Sequence, residues 1–209
     1  MTRDVGHLPI NIEVFKQSFL KTVEEIMPYV LKRARRIGYV SLGSIDYDIM
    51  QTDIDASSSF ILGIFAATIF FASRAVEMAI NKDDRMHEER KNSDLNWLFL
   101  RRDVLGKART NGLPVNLLLN PEEVCLSRNP VFVVRRNKVI HGDIEGYKEA
   151  TGFYQITDFT KPYGLPVAPS EDDAYDQLTK GRRFLIEWVK MGSTHVPRSA
   201  RFVSWQDIT

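Results

Sequence analysis

Three residues within one short run have side chains that can hold a phosphate and move a proton: Arg136, Asn137 and His141, in Asn129-Pro-Val-Phe-Val-Val-Arg-Arg-Asn-Lys-Val-Ile-His-Gly-Asp143. An imidazole, with an unperturbed pKa of roughly 6.5, takes or gives a proton near neutrality. A guanidinium clamps phosphate oxygens and offsets charge that develops in a transition state. Together they suit cleavage of a phosphodiester. On a helix each residue advances about 100°, so Asn137 and His141, four apart, share a face, and Asn137 can hold one ring nitrogen while the other stays free. Arg136 precedes His141 by five residues, roughly 140° to the side, and only its long side chain brings the guanidinium near the ring. The carbonyl end of a helix favours the protonated ring. The plainer reading of the same residues is a surface arginine and a terminal histidine that stabilise a helix end.

That chemistry requires the run to be a helix. Asn129 is suited to cap it, Pro130 suits its first position, where an N–H has no partner, and Gly142 can adopt the left-handed conformation that ends it. The β-branched Val131-Phe-Val-Val134 leaves a strand as the rival, which weakens the Asn137–His141 geometry. Upstream, Ser57 to Asn81 predicts one helix, apolar nearly all round in its first half and therefore central and buried. Its small residues Gly63, Ala66, Ala67, Ala72 and Ser73 let neighbours approach closely. Glu77 stands out there, because a carboxylate on a core-facing helix is costly unless paired. It either pairs with Arg74, three residues earlier, at the surface, or lies beside the Arg–His pair and orients His141 or Arg136.

Arg136-Asn137-Lys138-Val139-Ile140-His141, followed by Gly142, resembles the Arg-x4-His motif of the HEPN (higher eukaryotes and prokaryotes nucleotide-binding) superfamily, with its frequent Asn after the Arg. The Ala-x-Glu pattern at Glu77, on a helix of small and aromatic residues, looks like the helix that precedes the motif in several of its groups. The resemblance implies an all-α domain, usually a homodimer in which two motifs meet in one cleft, and a metal-independent endoribonuclease. In such an enzyme His141 helps activate a ribose 2′-hydroxyl against its own phosphate and Arg136 steadies that phosphate. Other members only bind nucleotides or RNA. Toxins of the family that pair with minimal nucleotidyltransferases carry a tyrosine two residues after the histidine. Here that position is Asp143, which points to a longer, embellished relative and can raise the pKa of His141.

With 209 residues, 44% of them apolar, the chain suffices for one domain with embellishments. Its 28 basic and 27 acidic side chains leave a net charge of +1, so a nucleic-acid site must be a local patch. Cys125, the one cysteine, excludes an internal disulfide framework, fits a reducing compartment, and has no nearby histidine to make it a catalytic thiol. The N-terminus lacks the pattern of a signal peptide, and the longest apolar run, from Phe60 to Ala72, falls short of the roughly twenty residues of a membrane span. These features predict a cytoplasmic protein. The scattered His7, His87, His141 and His195 offer no zinc spacing, and no phosphate loop or dinucleotide fingerprint occurs, so no cofactor is implied.

The order of the remaining elements follows from periodicity and caps. Asn11 to Ile37 predicts a long amphipathic helix with Pro28 as a kink or break, ending in Lys32, Arg33, Arg35 and Arg36, either a patch for an RNA backbone or a solvated basic face. Ser41 to Ser59 reads as a connection, with Asp53 or Asp55 starting the next helix. Asn81 to Asn92 reads as an exposed charged loop holding His87 as a surface residue. Asp94 to Ala108 reads as a helix ended by Asn111-Gly112, with Arg101 and Arg102 as candidates for RNA backbone contacts. Asn120-Pro-Glu-Glu123 starts a helix that runs to about Arg128. After Gly142, residues 143–170 form a long loop or hairpin whose aromatics pin it to the core or stack on bases. Ser170 opens a last helix to about Met191, and 193–209 forms a tail that packs on this subunit or its partner. The expected whole is a single all-α domain over 1–209: a HEPN-like bundle of about five helices, with a core over about 11–142, that acts as an endoribonuclease on RNA as a homodimer. A protein inhibitor is left open. The alternatives are a non-catalytic module that binds RNA, a nucleotide or a protein, and a helical interaction protein with no nucleic-acid role.

Overall fold

The computed structural model describes residues 12–41, 46–141, 169–191 and 201–203, with backbone alone for Phe15, 39–41, His141 and 201–203. Residues 143–168 of the expected loop over 143–170, with Asp143, are thus outside the described residues, as is most of the tail. The described part is an all-α bundle with one short strand pair. In chain order come α1 (Ile12–Ile37), β1 (Tyr39–Ser41), α2 (Tyr47–Leu62), α3 (Phe65–Lys82), α4 (His87–Lys91), α5 (Arg102–Thr110), α6 (Val131–His141), α7 (Glu171–Lys190) and β2 (Arg201–Val203). Single 3-10 turns at Asp84–Met86, Val115–Leu118 and Pro121–Glu123 join them. β1 pairs antiparallel with β2, Tyr39 opposite Val203, which anchors part of the tail on its own chain.

The centre is α3, which packs against α2, α6 and α7. Its crossing with α7 is close because Gly181 has no side chain: a Cβ there would sit 3.3 Å from the Ala72 carbonyl oxygen. Beside that crossing, buried Gln177 donates to Ser73 Oγ at 2.8 Å and to the Phe132 carbonyl at 2.9 Å, joining α7 to both α3 and α6. The main core gathers Val76, Ile80, Leu100, Leu105, Leu118, Phe132, Phe184 and Leu185, and a second cluster gathers Ile37, Phe60, Ile69 and Leu178.

Several boundaries differ from expectation. The predicted helix over 57–81 is two helices. Gly63, at φ 79°, ends α2, with Gly63 N–H bonded to Phe60 O and Ile64 N–H to Ser59 O, the paired bonds of a left-handed helix stop. The first of the two begins earlier, at the Asp46 cap, so most of Ser41 to Ser59 is helix and Asp53 is a buried interior residue. Nor is the apolar stretch around the break buried: Leu62 is 60% exposed and Ile64 53%. α1 continues through Pro28.

Between α3 and α5 the charged segment is a 3-10 turn and α4 rather than a loop, held by buried Met86 and Asp83, with His87 exposed as expected. Residues 94–101 are not helical. Their apolar residues alternate, Leu98 and Leu100 buried and Phe99 at 40% exposed, as in an extended segment. The helix expected from Pro121 is a single 3-10 turn, in which Glu123 turns inward and its Oε2 takes the Asn120 N–H at 2.8 Å. α7 follows its signals closely: Ser170 and Asp173 cap each other, and Leu178, Phe184, Leu185 and Trp188 are buried.

Candidate functional site

α6 is a helix and not a strand, so Arg136, Asn137 and His141 have the spacing the chemistry asks for. Its first turn is buried all round at Val131, Phe132, Val133 and Val134, which fixes the helix in the core. The capping partner is not Asn129. Glu123 Oε1 takes the Val131 N–H at 2.7 Å, so a buried carboxylate from the preceding turn satisfies the first orphan amide. Arg135 is structural: it bridges Asp173 at 2.6 Å and Asp176 at 2.5 Å and ties α6 to α7. Burial alone would lower its pKa, but Asp176 and Asp173 outweigh that and raise it.

Arg136 points the other way, toward α3. Its Nη2 donates to Glu77 Oε2 at 3.0 Å and its Nη1 to Asn137 Oδ1 at 3.0 Å. Glu77, 1% exposed, is a junction. Its carboxylate also accepts from Arg74 Nη1, from Trp97 Nε1 at 3.3 Å and from the Leu100 N–H at 2.8 Å. Both sequence readings of Glu77 therefore hold in part: it pairs with Arg74, but from the interior, and it holds Arg136. Two guanidinium charges meet one carboxylate, so the cluster stays net positive. Arg74 also stacks over the Trp97 ring, 4.6 Å from its centroid.

The carbonyl of Asn137 is turned to Arg136. The side chain of His141 is outside the described residues, and with it the expected Asn137–His141 contact; its backbone closes α6. Arg136, Asn137 and Ile140 form one wall of an open cleft of about 410 Å³, and Phe99 and Arg101 line it as well. The arrangement can hold an anion: a guanidinium fixed by two oxygens keeps its orientation without reorganising, and Arg101 adds a second positive group.

Of the other basic candidates, Arg33, Arg36 and Arg102 are engaged. Arg33 and Arg36 pair with Glu171 at 3.0 Å each, and Arg36 also pairs with Asp172 at 2.7 Å. They lie over Phe65 and Tyr175, 5.1 and 4.0 Å from the ring centroids. These two join α1 to the start of α7 instead of forming a bare patch. Arg102 donates to the Ser127 carbonyl at 2.8 Å.

Sequence reasoning missed Trp97, the Leu100 amide and Phe99 as neighbours of the site. Glu77 in an apolar helix was the one signal that donors had to gather there. The buried pair of Arg182 with Asp53, at 3.2 Å, was also missed. Among the described residues no cluster of histidine, cysteine, aspartate and glutamate could hold a metal ion, and no helix is long and apolar enough to cross a membrane. The chain matches no family model, and neither a curated protein nor a solved structure is significantly similar to it.

Proposed function

We propose that the chain is a HEPN-like, metal-independent endoribonuclease that works as a homodimer. The observation that carries this reading is a guanidinium, Arg136, locked by Glu77 and Asn137 at the wall of a net positive cleft, on the helix that His141 ends. His141 takes the proton of a ribose 2′-hydroxyl, and that oxygen attacks the adjacent phosphorus. The bond to the 5′-oxygen breaks, an imidazolium at the composite site returns a proton to it, and a cyclic phosphate and a free 5′-hydroxyl result. Arg136 offsets the charge on the phosphoryl oxygens throughout. Exposed apolar side chains on α1 and around the end of α2, Leu20, Ile26, Leu31, Leu62 and Ile64, support the dimer, since such surface marks association.

The test is cleavage of single-stranded RNA in excess chelator. His141→Ala is expected to slow it by at least about 100-fold, the usual worth of a positioned proton-transfer group. Arg136→Ala should do likewise, and Arg136→Lys, which keeps a charge for Glu77 but loses the two-pronged donor, separates catalysis from folding. Light scattering should give twice the chain mass. A second reading, a module that binds RNA without cutting it, is favoured by the engagement of Arg136 with Glu77, which also suits a purely structural charge. RNA retention without cleavage would select it, and neither retention nor cleavage would leave an interaction protein.

A further inference from the structure

The segment that carries Phe99 is unusually well tethered for a connection between helices. The Leu98 N–H donates to Asn81 Oδ1 at 2.7 Å, and Asn81 Nδ2 donates back to the Leu98 carbonyl at 2.8 Å. On the other side of Phe99, the Leu100 N–H reaches Glu77 Oε2 at 2.8 Å. Asn81 and Glu77 are one turn apart on α3, so the backbone is pinned on both sides of a phenyl ring that stays 40% exposed while Leu98 and Leu100 are buried. The ring is held at the surface by buried anchors. Glu77 Oε2 is also the atom that receives Arg136 Nη2. One carboxylate oxygen therefore sets the aromatic segment and the guanidinium in register across the cleft.

The lining of that cleft is of two kinds. Phe99 and Ile140 are apolar and partly exposed, whereas Arg101 and Arg136 are cationic. Arg101 is 64% exposed, and its nearest acid, Asp103, stands at 3.6 Å, a weak surface pair that an incoming anion can displace. A volume of about 410 Å³ is within the range of small-ligand clefts. An aromatic face next to two guanidiniums matches a ligand with a flat π-system and a phosphate a short distance apart, and a peptide or a lipid headgroup needs no such pair.

We propose that this cleft is a subsite for one nucleotide of single-stranded RNA, with the base stacked on Phe99 and its phosphate bridged by Arg101 and Arg136. This rests on the reading of Arg136 as a phosphate clamp and adds a base platform to it. Phe99 is a binding residue; Asn81 and Glu77 are positioning residues. Because every base has a π-face, the platform tolerates many sequences.

Fluorescence anisotropy of the full chain with a labelled uridine oligoribonucleotide, in excess chelator, tests it. Phe99→Ala is expected to weaken binding by about tenfold or more, as loss of one base–aromatic stack does, and Phe99→Trp to restore it. Arg101→Ala should lower the slope of log affinity against log salt by about 0.7, the share of one phosphate contact on a single strand, while Phe99→Ala leaves the slope unchanged. Thermal melting of each variant should match wild type, because both side chains are exposed. Unchanged affinity in Phe99→Ala, or a loss that Phe99→Trp does not restore, overturns the subsite even if His141→Ala abolishes cleavage. Wild-type binding without cleavage, with the Phe99 loss present, keeps the subsite and overturns the nuclease. Absence of any RNA binding by wild type overturns both.

Discussion

At the scale of single residues, Glu77 has more to do than any candidate catalytic group. It sits in the core with two arginines, an indole N–H and a backbone amide on its two oxygens, so its burial is compensated at every lone pair that the geometry allows. Removing it leaves those donors facing one another. Glu77→Ala is expected to destabilise the protein by roughly 3–5 kcal/mol, the cost of orphaning a buried charge pair, and denaturant unfolding measures it. Glu77→Gln should lose less, because an amide oxygen can still accept, and a loss within error of zero for both variants would remove the junction from the account. The clamp and the fold thus share one carboxylate, and Arg136 owes its orientation to α3 as much as to its own helix.

At the scale of elements, buried polar pairs choose how the helices meet. Arg182, 6% exposed on α7, reaches Asp53 on α2 at 3.2 Å, the Ile37 carbonyl at the end of α1 at 3.2 Å, and Ser57 Oγ. One guanidinium joins three helices. Asp53→Ala should cost roughly 3–5 kcal/mol by stranding that charge, whereas Asp53→Ala combined with Arg182→Met should be distinctly more stable than the single variant, because no unpaired ion remains. A double variant at the sum of the two single losses, measured by the same unfolding titration, contradicts a coupled pair. The break at Gly63 acts at this scale too. It lets α2 and α3 fold back on each other, and it brings Gly63 against α1: a Cβ there would stand 2.7 Å from Arg33 Nη1.

At the scale of the whole molecule, acid is the vulnerable side. Among the described residues, four carboxyls are held below the usual range. For Asp83 burial acts upward, but hydrogen bonds from Arg85 and Trp188 outweigh it. Asp176 is likewise pushed up by burial and brought down further by Lys180 and Arg135. Glu171 is lowered first by Arg33, with burial opposing and Arg36 assisting, and Asp46 first by Lys82 against a smaller effect of burial. With folded pKa values below the unfolded ones, the unfolded chain binds more protons in acid, so this stability is present above the ordinary carboxyl pKa and lost as pH falls through the folded values. The denaturant midpoint is expected to fall steeply below about pH 4. A midpoint that stays level down to about pH 2 runs against that linkage.

The sequence alone determined the all-α class, the extent of α1 and the start of α7 at Ser170, and favoured a helix over a strand for the run that carries Arg136, Asn137 and His141, because periodicity, capping side chains and proline positions act within a turn or two of themselves. It also marked Glu77 as a carboxylate in need of donors. Only the tertiary structure decided which donors: Trp97 and Leu100 come from an extended segment whose alternation is too short to tell from a helix, and Arg136 lies 59 positions away. It likewise decided that Gly63 breaks a helix and that Asp53 is an interior partner of Arg182, 129 positions on, and no local cap. A side chain's hydrogen-bonding capacity is written in its residue type, but its partner depends on where distant parts of the chain come to rest, which is settled by packing the whole core.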